Sequence, residues 1–337
     1  MGFSSFVHLF RPVYVPVSGY LKKAEDRKYR KRFEKIFSEI WHPSDLNTDN
    51  TDKKFYIIFD SSGKSGLFAL INSFLRQMKY AQSAGFIPVI DLKNFPNTFF
   101  PDNQGLGKFN AWEYFFEQPF DVNLEEVYHS RNVVLGTGRI PESGQFQYNP
   151  WEGNETETSE WKKFFETYIR FRPDIKEILE EKYHSLNLSG GGQKVLGVKC
   201  RGTDYKIGSI PPGHYYQPAP KQIIDKIESL ELEWDKIFLA TEDAEVFREF
   251  TSYFASERIV YFDNKRITTA GNESWTEVLK KRKISTFDSA MEYLSEMYVL
   301  SKCNYLISGL TCASLMLPYM SKRYDYSYMF NLGRHGI

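Results

Sequence analysis

Short apolar runs alternate with longer amphipathic stretches along most of this chain. Phe55–Asp60, Ile87–Asp91, Arg131–Leu135, Val195–Cys200, Lys236–Ala240, Ile259–Tyr261 and Tyr305–Ser308 have the brevity and apolar content of buried strands. Between them lie segments with apolar residues at helical spacing. One opens at Ser61–Ser65 and runs to about Gly85; others cover Ser159–Tyr183, with the ladder Trp161, Phe164, Phe165, Tyr168 and Ile169, then Ala219–Ser229, Ala244–Phe254, Asp288–Leu300 and Cys312–Met320. Strand–helix alternation of this kind predicts parallel sheets covered by helices. The Ser-Gly-Gly-Gly tract at 189–192 is the strongest break in the pattern, and it predicts two Rossmann-like α/β domains, 1–190 and 193–337.

Two stretches depart from the alternation. Tyr20–Ile40 carries Tyr29, Phe33, Ile36, Phe37 and Ile40 at helical spacing with Lys and Arg on the other faces, which reads as a solvated basic helix or as a contact with anionic lipid. Asn110–Pro119 concentrates aromatic residues. Trp112, Phe115 and Phe116 share one face and read as core, leaving the Glu113 carboxylate on the opposite side.

Composition narrows the function classes. At 337 residues and 42% hydrophobic content the chain can build two cores, and 43 basic against 43 acidic residues argue against a nucleic-acid binder, whose affinity would come from neutralising phosphates. The 17% aromatic content suits a protein that stacks on sugars or bases as well as on itself. Cys200, Cys303 and Cys312 form no metal-binding spacing and read as buried free thiols of a reducing, cytoplasmic compartment. No apolar run is long enough to span a membrane, and residues 1–19, interrupted by Arg11, Pro12 and Pro16, do not read as a signal peptide.

Candidate chemistry gathers where strands end. Arg201-Gly202-Thr203-Asp204 leaves Val195–Cys200 with a permanent cation, a glycine, a hydroxyl and a carboxylate. An arginine fork at a strand's carboxyl end suits phosphate oxygens, although an Arg–Asp pair closing a surface turn uses the same residues. Ser308-Gly309-Leu310-Thr311 puts hydroxyls and backbone N–H groups ahead of a helix, where either a diphosphate or an ordinary N-cap accounts for them. Thr241 and Asp243 read as caps of the following helix, and Arg266 as a weak candidate for a phosphate or acceptor contact. Gly63-Lys64-Ser65 imitates the end of a Walker A loop. The full loop needs a glycine five residues before Gly63, and position 58 is an isoleucine inside a strand.

The string Arg-Gly-Thr-Asp-Tyr-Lys at 201–206, followed by Gly-His-Tyr-Tyr-Gln-Pro at 213–218, resembles the first signature of the fucosyltransferase superfamily, which holds α-1,6-, nodulation and protein O-fucosyltransferases. Residues 293–317 resemble its last signature, and Asn110–Glu117 and 66–94 are similar to strings of its bacterial members. The resemblance implies the GT-B architecture, two facing Rossmann-like domains, and an inverting glycosyltransferase moving a sugar, L-fucose from GDP-fucose above all, to a hydroxyl of a glycan. It implies Arg201 on the donor diphosphate with Asp204 and Glu113 as further catalytic candidates, and it puts Lys199, Gly202, Thr203, Tyr205, His214, Glu296, Ser308, Gly309, Thr311 and Cys312 around the substrates. Lys199 stands where the family carries histidine, and Glu296 where it carries an aspartate reading the guanine edge, so the base is less sharply specified than the fold. A carboxylate accepts both the N1–H and N2–H of guanine and repels the acceptor atoms of adenine or uracil. With no Asp-x-Asp in the chain, neither a metal nor another cofactor is expected. The competing readings are a P-loop kinase or NTPase built on Gly63-Lys64-Ser65, and a catalytically silent sugar-nucleotide-binding protein. The expected partners are a GDP-sugar and a glycan, with peripheral contact of the basic helix at the inner face of a membrane.

Overall fold

The computed structural model describes residues 50, 52–100, 105–136, 149–188, 190–202, 213–267 and 285–336. Its contacts divide the chain into two compact units, Met1–Tyr148 with Phe165–Arg172, and Asn149–Phe164 with Pro173–Ile337. The basic stretch Tyr20–Ile40 lies outside the described residues.

The first unit is built on a three-stranded parallel sheet of β1 (Phe55–Ile58), β2 (Ile87–Ile90) and β3 (Val133–Leu135), with β1 in the middle. Period-two alternation of β1 separates its faces. Phe55, Ile57 and Phe59 join Val89, Phe95 and α2 (Leu124–Tyr128) in one core, while Tyr56 meets Tyr80 of α1 (Leu67–Ser83) on the other side. Asn110–Pro119 forms only a short 3-10 turn at Ala111–Tyr114, yet Trp112, Phe115 and Phe116 are fully buried, as the sequence predicts.

The expected helix Ser159–Tyr183 is two helices, α3 (Glu155–Tyr168) and α4 (Pro173–Ser185). Pro173 disfavours helical backbone at Arg172 and has no N–H to donate, so α3 ends before it and α4 starts on it. The residues between are not idle: Phe171 pairs antiparallel with Phe116 and stacks on its ring at 5.3 Å, while the Arg170 carbonyl accepts from Glu117 N–H.

The second unit carries a five-stranded parallel sheet in the order β6 (Ile259–Val260), β5 (Lys236–Ala240), β4 (Val195–Lys199), β7 (Tyr305–Gly309), β8 (Tyr326–Phe330). Leu196, Val198 and Cys200 face the core formed with α5 (Pro220–Glu228) and α6 (Ala244–Tyr253). Gly197 faces α7 (Thr286–Lys302), where a Cβ would stand 2.9 Å from Leu300 and 3.1 Å from the Cys303 sulfur. The glycine is what lets α7 approach β4 this closely. Strand β8 has no counterpart in the sequence reading, and the expected helix Cys312–Met320 is a 3-10 turn, Ser314–Met316, followed by the single turn α8 (Leu317–Met320). Cys200 and Cys303 are buried free thiols as expected, but Cys312 is exposed.

Candidate active site at the carboxyl ends of the second sheet

Chain order fixes where a ligand would sit. From β4 the chain moves outward to β5 and β6, then returns to place β7 on the opposite side of β4. The order therefore reverses between β4 and β7, and in open parallel sheets the crevice outside such a reversal is the usual binding position. Lys199 ends β4 there, with Arg201 and Gly202 just beyond it, and Ser308 and Gly309 end β7, with Thr311 just beyond.

Lys199 follows from the same alternation that puts Gly197 under α7. It is 3% exposed, its ammonium lies 5.4 Å from the centre of the Tyr293 ring, and its charge acts on Glu296 of α7. Glu296, one turn before Leu300, is buried and accepts a 2.9 Å hydrogen bond from Asn264 Nδ2. Burial pushes its carboxyl up to about 7, reinforced by Glu242, while Asn264, Lys199 and Arg266 oppose the rise. The result is a desolvated carboxylate held by one neutral donor between two cations, well suited to reading paired N–H donors.

Arg201 is half-buried just past β4. Its neighbour Gly202 donates its N–H to Glu242 at 3.2 Å and packs so tightly on Asp243 that a Cβ would fall 2.2 Å from Oδ2. Asp243 caps α6 through Glu245 and Val246 N–H at 2.8 and 3.0 Å, as expected, whereas Thr241 caps no helix N–H and instead accepts from Asp243 N–H, which fixes the cap residue. Arg266 donates to the Phe262 and Asn264 carbonyls and stacks 3.8 Å from the Phe247 ring centre, which braces its own loop, while its buried Nε has no hydrogen-bond partner among the described residues.

The Ser308–Thr311 turn shows the capping arrangement of the two alternatives. Ser308 Oγ donates to the Gly309 carbonyl, Thr311 N–H donates to Ser314 Oγ at 2.7 Å, and Ser314 N–H returns a 3.1 Å bond to Thr311 Oγ1. The turn is a reciprocal cap of a 3-10 turn, and no long helix dipole stands behind it. His214 lies exposed in the segment that packs beside this turn, whereas Thr203, Asp204 and Tyr205 lie outside the described residues.

In the first unit Glu113 is exposed and its Oε1 accepts from Asn110 Nδ2 at 3.0 Å and Gln118 Nε2 at 2.9 Å. Both amides also pair with Ile90 of the β2 edge, so the carboxylate ties down a structural clamp. The Gly63-Lys64-Ser65 turn is organised by Asp60. Ser62 and Ser65 N–H donate to its carboxylate, Gly63 N–H to its carbonyl and Lys64 N–H to Ser62 Oγ. A P-loop leaves these N–H groups for phosphate; here each is used, which removes the basis of the ATP reading. Among the described residues no group of three or more His, Cys, Asp or Glu side chains could hold a metal ion, and no helix is long and apolar enough to cross a membrane.

No protein-family model matches this chain, and no curated protein sequence does. Solved structures do. The crystal structure of NodZ α-1,6-fucosyltransferase soaked with GDP-fucose matches 83% of this chain and 96% of its own with a TM-score of 0.51 at 16% identity. NodZ from Bradyrhizobium gives 0.46 over 80% of this chain and 92% of its own at 17% identity. A variant of Arabidopsis thaliana FUT1 in complex with GDP gives 0.46 over 90% and 78% at 12% identity. The first of these defines the architecture: the chain has a fucosyltransferase-like GT-B fold, and identity this low speaks to fold alone.

Proposed function

We propose that this protein is an inverting glycosyltransferase that transfers L-fucose from GDP-fucose to a hydroxyl of a glycan. The observation that carries the reading is the buried Glu296, held by Asn264 and flanked by Lys199, in the same sheet-end crevice as Arg201. In this reading Glu296 accepts the paired N–H donors of guanine and Arg201 holds the diphosphate. The acceptor oxygen attacks the anomeric carbon opposite the leaving group, the C–O bond to the β-phosphate breaks with its electron pair going to GDP, and the acceptor proton passes to a base, for which Asp204 and Glu113 are the candidates. Charge on the diphosphate grows as that bond breaks, so a fixed guanidinium beside it serves the transition state more than the ground state.

Calorimetry with GDP, UDP and ADP tests the base. GDP is expected to bind most tightly, and equal or tighter UDP binding would remove the assignment. The intact sugar nucleotides in the same titration identify the sugar, and binding without turnover would identify a silent binding protein. Catalysis is proposed to be metal-independent because arginine supplies the charge a bridging cation would otherwise bring. EDTA should leave transfer nearly unchanged, and loss of activity restored by manganese would refute this. The reading places the protein in the cytoplasm with its basic 20–40 segment against anionic lipid; flotation with phosphatidylserine vesicles, before and after deletion of that segment, checks it.

A further inference from the structure

The segment that follows β8 returns to the crevice. Gly213 N–H donates to the His335 carbonyl at 2.8 Å, His335 N–H to the His214 carbonyl at 2.9 Å and Tyr216 N–H to the Gly333 carbonyl at 3.0 Å, with Tyr215 and Arg334 paired antiparallel. The Arg334 guanidinium lies 4.4 Å over the Tyr215 ring and hydrogen-bonds its hydroxyl, and the His335 ring meets Tyr216 edge-on at 5.8 Å. Gly333, at φ 82°, makes the bend that a side chain would resist. The next residue along, Gln217, spans to β7: its Nε2 donates to the Leu310 carbonyl at 2.7 Å, and its Oε1 lies 2.4 Å from where a Gly309 Cβ would stand. A continuous chain of contacts thus runs from the end of β8, through 331–336 and 213–217, to the turn that ends β7 at the sheet's switch point.

We infer that Asn331–Gly336, with Arg334 as its anchor, is a positioning element of this crevice: it pins Gly213–Gln217 so that Gln217 holds the Gly309–Thr311 turn, and with it the carboxyl end of β7, in place beside the donor nucleotide. The inference rests on the donor-site reading above. The backbone pairs and the Arg334–Tyr215 stack are individually of comparable strength, so Arg334→Ala loosens the strap while deletion of 331–336 removes it. Because 331–336 adds no residue to the apolar core, its loss should loosen the crevice without unfolding the sheet.

Two variants test this, deletion of 331–336 and Arg334→Ala. Both are expected to keep a melting temperature near that of the intact chain, to speed hydrogen exchange at the Gly213 and Tyr216 amides, and to weaken GDP binding by roughly tenfold through lost preorganisation. Arg334→Lys keeps a cation over the Tyr215 ring and should recover most of the affinity. Unchanged exchange at both amides overturns the proposal, as does unchanged GDP affinity once those amides are loosened. If the intact chain binds no guanine nucleotide, the donor reading fails instead; the nucleotide-positioning role then falls with it, while the exchange data still decide whether the strap pins the segment.

Discussion

Glu296 carries the largest electrostatic cost in the crevice, and that cost makes two opposing predictions. Its folded pKa of about 7 lies above the ordinary 4.5, so the folded state binds the proton more tightly than the unfolded one. Stability from this residue is greatest below the unfolded value, falls as pH rises from 4.5 to 7, and stays at its lower level above, a difference of up to about 3 kcal/mol. Glu296→Gln should therefore raise the melting temperature at pH 8 while abolishing the preference for GDP; unchanged preference would show that the carboxylate reads nothing. Guanine donates N–H and so selects the ionised form. GDP affinity should accordingly drop roughly tenfold between pH 8 and pH 6 in the intact protein and be nearly flat in Glu296→Gln. The sequence picks out Glu296 and Lys199 individually, but not Asn264, which meets Glu296 only after the chain has crossed 32 positions, and no local pattern encodes that distance.

Arg201 belongs to the same scale. If it holds the leaving diphosphate, Arg201→Ala should lower turnover by on the order of 100-fold or more with less effect on donor binding, and Arg201→Lys should rescue little because an ammonium cannot span two oxygens. Folded Arg201→Ala protein with near-normal turnover would assign the residue to closing a surface turn.

At the scale of elements, the close approaches are the features sequence could not reveal. Gly202 reads in the sequence as a flexible exit from a strand; it is in fact the only size of residue that fits against the cap of α6, since a Cβ would strike Asp243. Gly202→Ala should displace Asp243 from Glu245 and Val246 N–H and cost about 1–3 kcal/mol, measured as a fall in denaturant midpoint with unchanged slope. No loss would mean that the cap shifts freely. The sequence reads 159–183 as one helix for an identifiable reason: apolar residues recur on both sides of Pro173, Trp161 to Ile169 before it and Ile175, Ile178 and Leu179 after it, and this periodicity outweighs a single proline until the pairing of Phe171 with Phe116 is seen. Strand β8 is not legible in the sequence because it is an edge strand whose Ser327 and Tyr328 are exposed, so its pattern lacks a buried run.

Across the whole molecule, alternation of strands and helices was enough to read parallel α/β architecture, because burial on both faces leaves strands nearly continuous in apolar character. The same scale separates the competing functions. In the donor reading the groups that meet a nucleotide, Arg201 and Glu296, both lie in the second unit, whereas the turn that imitates a phosphate loop, Ser61–Gly66, lies in the first. A ligand that binds only the folded state stabilises it by about 2.7 kcal/mol at a hundredfold excess over its Kd, and amides whose opening disrupts the site carry that protection. Hydrogen exchange with saturating GDP should therefore slow at β4, β7 and Gly213–Gln217 and leave the amides of Ser62–Ser65 unchanged. Protection centred instead on Ser62–Ser65, in ATP rather than GDP, would mean that Asp60 had released those N–H groups to a phosphate, and it would overturn the glycosyltransferase reading in favour of the nucleotide-hydrolysing one.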